Sequence, residues 1–95
     1  MIKIEVKKDS ITIKGHALYE EEGKDIVCAS VSSIATTTVN ALLRIYEDCI
    51  CYKDEDGYLK ITIKKHNDIV DALIDNMIDL FKELEKEYKK YIQVR

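Results

Sequence analysis

The hydrophobic period of this chain switches from two to about 3.6 and back, twice, within 95 residues. Residues 2–7 place Ile2, Ile4 and Val6 on one face and Lys3, Glu5 and Lys7 on the other, the pattern of a half-buried strand. Lys8-Asp9-Ser10 reads as a hairpin turn, and Ile11 and Ile13 then alternate with Thr12 and Lys14 in a second strand that ends at Gly15-His16. Residues 18–24 are polar and hold one glycine, so they read as an exposed loop. From there Val27, Val31, Ile34, Leu42 and Ile45 fall at helical spacing, predicting a helix over about 26–46 with Asp25 as its N-cap. Residues 49–53 and 58–64 read as two strands around the turn Asp54-Glu55-Asp56-Gly57. Asp68 is then expected to cap a second helix with an apolar stripe of Ile69 or Val70, Leu73, Met77, Leu80 or Phe81, and Leu84. Residues 91–94 can supply a fifth strand.

The resulting order is ββαββα, with room for a final β. Each strand has one apolar face, so the expected architecture is a two-layer α+β domain: a mainly antiparallel sheet of four to five strands with both helices on one face. Ninety-five residues with no proline and three glycines leave no linker, so residues 1–95 are expected to form a single domain. A hydrophobic fraction of 46% excludes a disordered chain. Net charge of −3 argues against general nucleic-acid binding. The alternating N-terminus lacks the apolar core of a signal peptide, and no stretch reads as the ~20 apolar residues that span a bilayer. The expectation is therefore a cytoplasmic protein with no membrane partner, and three cysteines, an odd number, held as thiols.

Two residues invite chemistry. His16 ends the second strand, and Cys28 lies in what is expected to be the first turn of the first helix. A helix N-terminus presents unpaired N–H groups and the positive end of the dipole, which favour thiolate over thiol. The same N–H groups can hold the oxyanion of a tetrahedral intermediate, and a histidine can take the thiol proton. Asp25 would hold the first helical turn, and Ser32, one turn after Cys28, would orient the thiolate or a peptide carbonyl. On spacing alone, however, the pair reads more often as a buried cysteine and a backbone-bonded histidine.

Gly15-His16-Ala17, a glycine at 23, and the run Asp25-Ile26-Val27-Cys28-Ala29-Ser30-Val31-Ser32 resemble the paired motifs of the ribosomal-processing cysteine proteases, the Prp family. Every position of both motifs is met, with Ser30 at the variable one. The resemblance implies a cysteine endopeptidase with a dyad of Cys28 and His16, with Gly15, Ala17, Asp25 and Ser32 in support. It implies removal of an N-terminal extension from a ribosomal large-subunit protein as substrate and partner, and a homodimer. The alternative is a non-catalytic ribosomal-protein-binding or assembly factor that uses the same cleft, and a thioesterase is a third reading.

No cofactor or metal is expected. Cys49 and Cys51 are two apart on a predicted strand and would share one face, but no second pair completes a zinc set. His66 reads as a surface or helix-entry residue. Glu20, Glu21, Glu22 and Asp25, offset by Lys24, make the loop between the motifs acidic, a feature suited to a basic substrate.

Overall fold

Ile2 and Ile4 are fully buried while Lys3 and Glu5 are exposed, so the first alternation is a strand: β1, Ile2–Lys7. The computed structural model describes residues 1–15, 24–55 and 57–95, with Lys24 and Asp25 described by their backbone alone. Among the described residues the elements continue as β2 (Ser10–Lys14), α1 (Lys24–Ile45), β3 (Ile50–Glu55), β4 (Tyr58–Ile63), α2 (Asp68–Glu87) and β5 (Ile92–Val94). They form an α+β domain with one open, mixed sheet in the order β3-β4-β2-β1-β5. Three of the pairings are antiparallel, and β5 joins β1 in parallel, Ile2 opposite Ile92.

The register gathers the apolar residues onto one face. Ile4 lies opposite Ile13, Ile13 opposite Leu59, Ile11 opposite Ile61, and Ile50 opposite Ile63. On this face pack Val27, Val31, Ala35, Val39 and Leu42 of α1 and Val70, Ile74, Met77 and Phe81 of α2, all in one buried cluster. Both helices therefore cover the same side of the sheet, as the alternation predicted.

Several boundaries differ from the sequence reading. α1 begins at Lys24, so Asp25 is its second residue and not its N-cap, and Cys28 opens the second turn and not the first. α2 is capped by Asn67, whose Oδ1 accepts from the N–H groups of Ile69 and Val70 at 3.0 and 2.9 Å. Asp68 instead sits in the first turn, where its charge complements the dipole. At α2 two adjacent residues, Asn67 and Asp68, can cap, and packing of the stripe decides between them. β3 runs to Glu55, which shortens the turn before β4. Ile45, expected in the apolar stripe, is half exposed, because the buried stripe runs through Val27, Val31, Ala35 and Val39 and ends at Leu42, one turn before it.

By length and composition, Ile26–Ile45 is long and apolar enough to cross a bilayer, contrary to the sequence reading. Its buried stripe packs on the sheet, and Ser32, Ser33, Thr36, Thr37 and Asn40 form its exposed side.

Candidate active site

β2 lies between β1 and β4, so its end at Lys14-Gly15 is central in the sheet. Gly15 has φ +82°, and its N–H donates to the Gly57 carbonyl at 3.0 Å. A Cβ at this position would stand 2.6 Å from the backbone oxygen of Met1. Both the left-handed backbone and the close approach exclude a side chain. The glycine of the Gly-His-Ala motif is thus the point at which the chain turns out of the sheet.

α1 follows eight residues later and lies against β3 and α2. Its first turns are anchored by Val27 and Val31, both buried, while Ile26 and Ser32 are exposed. Cys28 is half-buried and packs against the core cluster, close to the helix terminus where N–H groups lack intrahelical partners. Ser30 turns back, its hydroxyl donating to the Ile26 carbonyl at 2.9 Å. Ser32 is one turn beyond Cys28 on the same side of the helix. Asp25 is the second residue of α1. His16 and Ala17 lie outside the described residues, as do Glu20, Glu21 and Glu22.

The other two thiols have separate environments. Cys49 precedes β3, in the turn that leaves α1, and is buried; its S–H donates to the Leu42 carbonyl at 3.7 Å. Burial pushes its pKa up. Cys51 is exposed on β3. The two do not share one face, because the strand begins only after Cys49. Among the described residues no group of three or more Cys, His, Asp or Glu side chains is arranged to hold a metal ion.

His66, assigned no role from sequence, joins two elements. Its Nδ1 and Nε2 each lie 2.7 Å from a carboxylate, Asp71 of α2 and Asp9 of the β1–β2 turn. Carboxylates only accept, so both ring nitrogens donate and the imidazole is held as a cation. The hydrogen bond to Asp71, then that to Asp9, raises its pKa above the ordinary value of 6.5. A histidine raised on folding contributes stability in full below its unfolded pKa and loses it as pH climbs through the folded one. The stability advantage of the wild type over His66→Gln is therefore expected to be largest below the ordinary histidine pKa of 6.5 and to shrink as pH rises above it. Urea titrations of both proteins on either side of that pKa read it, and an advantage that grows with pH would contradict the cationic bridge. The bridge sits at the Asp9 end of β2, the opposite end from Gly15.

One family's sequence pattern covers residues 1–93, and it is a family of cysteine proteases: the chain is a cysteine peptidase. It belongs to the family described as cysteine protease Prp. The chain is 30% identical over 93 residues to the ribosomal processing cysteine protease Prp of Staphylococcus aureus, covering 95% of this chain and 88% of that protein. Its structure is similar to that of an essential ribosomal processing protease Prp from S. aureus in complex with a substrate peptide. That likeness has a TM-score of 0.85 at 25% identity and covers 99% of this chain and 95% of the other. It is also similar to the S. aureus protease in complex with a covalently linked product peptide, with a TM-score of 0.80 and 26% identity over 99% and 95% of the two chains.

Proposed function

We propose that this protein is an endopeptidase that removes the N-terminal extension of a ribosomal large-subunit protein, with Cys28 as nucleophile and His16 as general base and acid. The observation that carries the reading is the position of Cys28, half-buried at the start of α1 in a chain of a cysteine protease family. The other two cysteines do not compete for the role. Cys49 is buried and its thiol is pushed toward the neutral form, and Cys51 is exposed within the edge strand β3 and not in a helix. The chain has two histidines, and His66 is committed to Asp9 and Asp71 at the far end of β2. That leaves His16, which directly follows the turn at Gly15.

In this mechanism His16 takes the Cys28 proton, and the thiolate attacks the scissile carbonyl. N–H groups at the start of α1 hold the oxyanion. Collapse breaks the C–N bond, and His16 returns the proton to the departing amine. Water, activated by His16, then adds to the thioester; the acid leaves and the Cys28 thiol is restored. Gly15 directs the chain toward His16 beside Ala17, Asp25 supports the thiolate-bearing turn, and Ser32 holds a peptide carbonyl. The resemblance also supports a homodimer, which sedimentation velocity tests against the 11.0 kDa of one chain.

The test is incubation with a peptide spanning the junction between extension and mature N-terminus, read by mass spectrometry. Two product peptides in excess over enzyme are expected. Stoichiometric binding without turnover would overturn the reading in favour of an assembly factor, and turnover of thioesters alone in favour of a thioesterase.

The acidic run Glu20-Glu21-Glu22 adds a dependence on salt. Ribosomal-protein tails are rich in Lys and Arg because they lie against phosphates. Changing the three residues together to Gln is expected to lower kcat/KM on the order of tenfold at low salt. The gap should narrow as the Debye length falls to about 8 Å at physiological ionic strength. Initial rates at two salt concentrations check this, and indifference to both changes would remove any steering role.

A further inference from the structure

Cys28, Ser32 and Thr36 recur every four residues and so lie along one side of α1. That side borders a cleft against the sheet. Ser32 and Thr36 form one wall, and Tyr52 and Asp54 of the edge strand β3 form the other. The floor is apolar and buried: Ile13 of β2, Leu59 of β4 and Val31 of α1. The Tyr52 hydroxyl donates to Asp54 Oδ2 at 3.1 Å, which fixes the ring at the rim. The cavity measures about 70 Å³. That is roughly half of the ~150 Å³ that accepts a benzene ring, so it suits the end of one aliphatic side chain.

At a rise of 1.5 Å per residue, Ser32 and Thr36 lie about 6 and 12 Å along the helix from Cys28. An extended peptide advances about 3.3 Å per residue, so the cavity meets a side chain about two to four residues from a bond held at Cys28. Alternate side chains point oppositely, so one residue enters and its neighbours face out.

We propose that this cleft is a specificity subsite for a single aliphatic side chain of the substrate, with the Tyr52 ring as the wall that limits its size. Asp54 acts through Tyr52 and is a positioning residue. The proposal rests on the reading of Cys28 as the nucleophile. It assigns a selective role to two residues of the edge strand that lie outside the buried core, one of them an aspartate that strand propensity disfavours.

The experiment uses junction peptides in which each position two to four residues from the scissile bond, on either side, is varied among Ala, Val, Leu and Phe. The wild type is expected to prefer Val or Leu over Phe at one of these positions. In Tyr52→Ala that preference should shift toward Phe by about tenfold or more, chiefly through KM, with the other positions unchanged. Tyr52→Phe keeps the ring and should keep the wild-type profile. Tyr52 is 40% exposed on an edge strand, so thermal melts of both variants should match the wild type. If wild type cleaves the peptides but Tyr52→Ala keeps its profile, or shifts it equally at every position, the subsite is overturned and the peptidase reading stands. If wild type cleaves none of them, that reading falls and the subsite with it.

Discussion

Cys28→Ala is expected to lose cleavage of the junction peptide by on the order of 10³-fold or more while keeping its fold. Alanine has no lone pair to attack the carbonyl, and no other thiol can substitute: Cys49 is sealed under the Leu42 carbonyl, and Cys51 lies on the edge strand. The structural cost is small, because Cys28 is half-buried and the flanking Val27 and Val31 carry the packing of that turn. A melting temperature within a few degrees of wild type would show this. Cys51→Ser should retain its rate. Cys49→Ser puts a smaller, more strongly hydrated hydroxyl in a buried position whose one polar neighbour is the Leu42 carbonyl, so it should lose stability while the folded fraction remains active. Residual cleavage by purified Cys28→Ala at a rate near wild type would remove Cys28 from the mechanism.

Phe81→Ala is expected to have the largest effect on stability. Phe81 is fully buried and is among the largest of the side chains sealed between the helices and the sheet. Truncating a buried phenylalanine costs about 3–5 kcal/mol, because transfer energy is lost and the cavity collapses only partly. Domains of this size have on the order of 5–15 kcal/mol in all. The melting temperature should therefore fall by roughly 15–30 °C. Phe81→Leu, which refills most of the volume, should cost less than half as much. Urea titration at fixed pH checks both, and a loss below about 1 kcal/mol for the alanine variant would mean that the core between α2 and the sheet is not closed around Phe81.

How much of this architecture can be read from residues alone depends on how local each cause is. β1, β2 and β4 show strict alternation, a signal carried within six residues, and the strands lie where it puts them. The parallel docking of β5 on β1 is not readable, because it joins residues about 90 positions apart and depends on the length of α2 and the turn at Tyr88–Tyr91. Ala35 and Ile74 are buried although neither stood out, since small or flanking apolar residues become core only when the crossing of helix and sheet is known. Cys49 and Cys51 looked like one face by period, yet the strand begins between them.

The same division holds at the site. Cys28 is found by its motif and by the cap region around it, both local. The positive φ of Gly15 is suggested by its residue type, but the clash with Met1 that makes it obligatory is tertiary. Tyr52 and Asp54 carry no local mark at all: they matter only because α1 lies over that edge of the sheet. The His66 bridge likewise joins residues 57 apart and could not be read from spacing.

The most direct test of the central claim is covalent capture of the nucleophile. A peptidyl chloromethyl ketone carrying the residues that precede the scissile bond should alkylate the protein once, stop cleavage in proportion to labelling, and map to the proteolytic fragment containing Cys28. Labelling at Cys49 or Cys51, or complete labelling of Cys28 with cleavage undiminished, would contradict it.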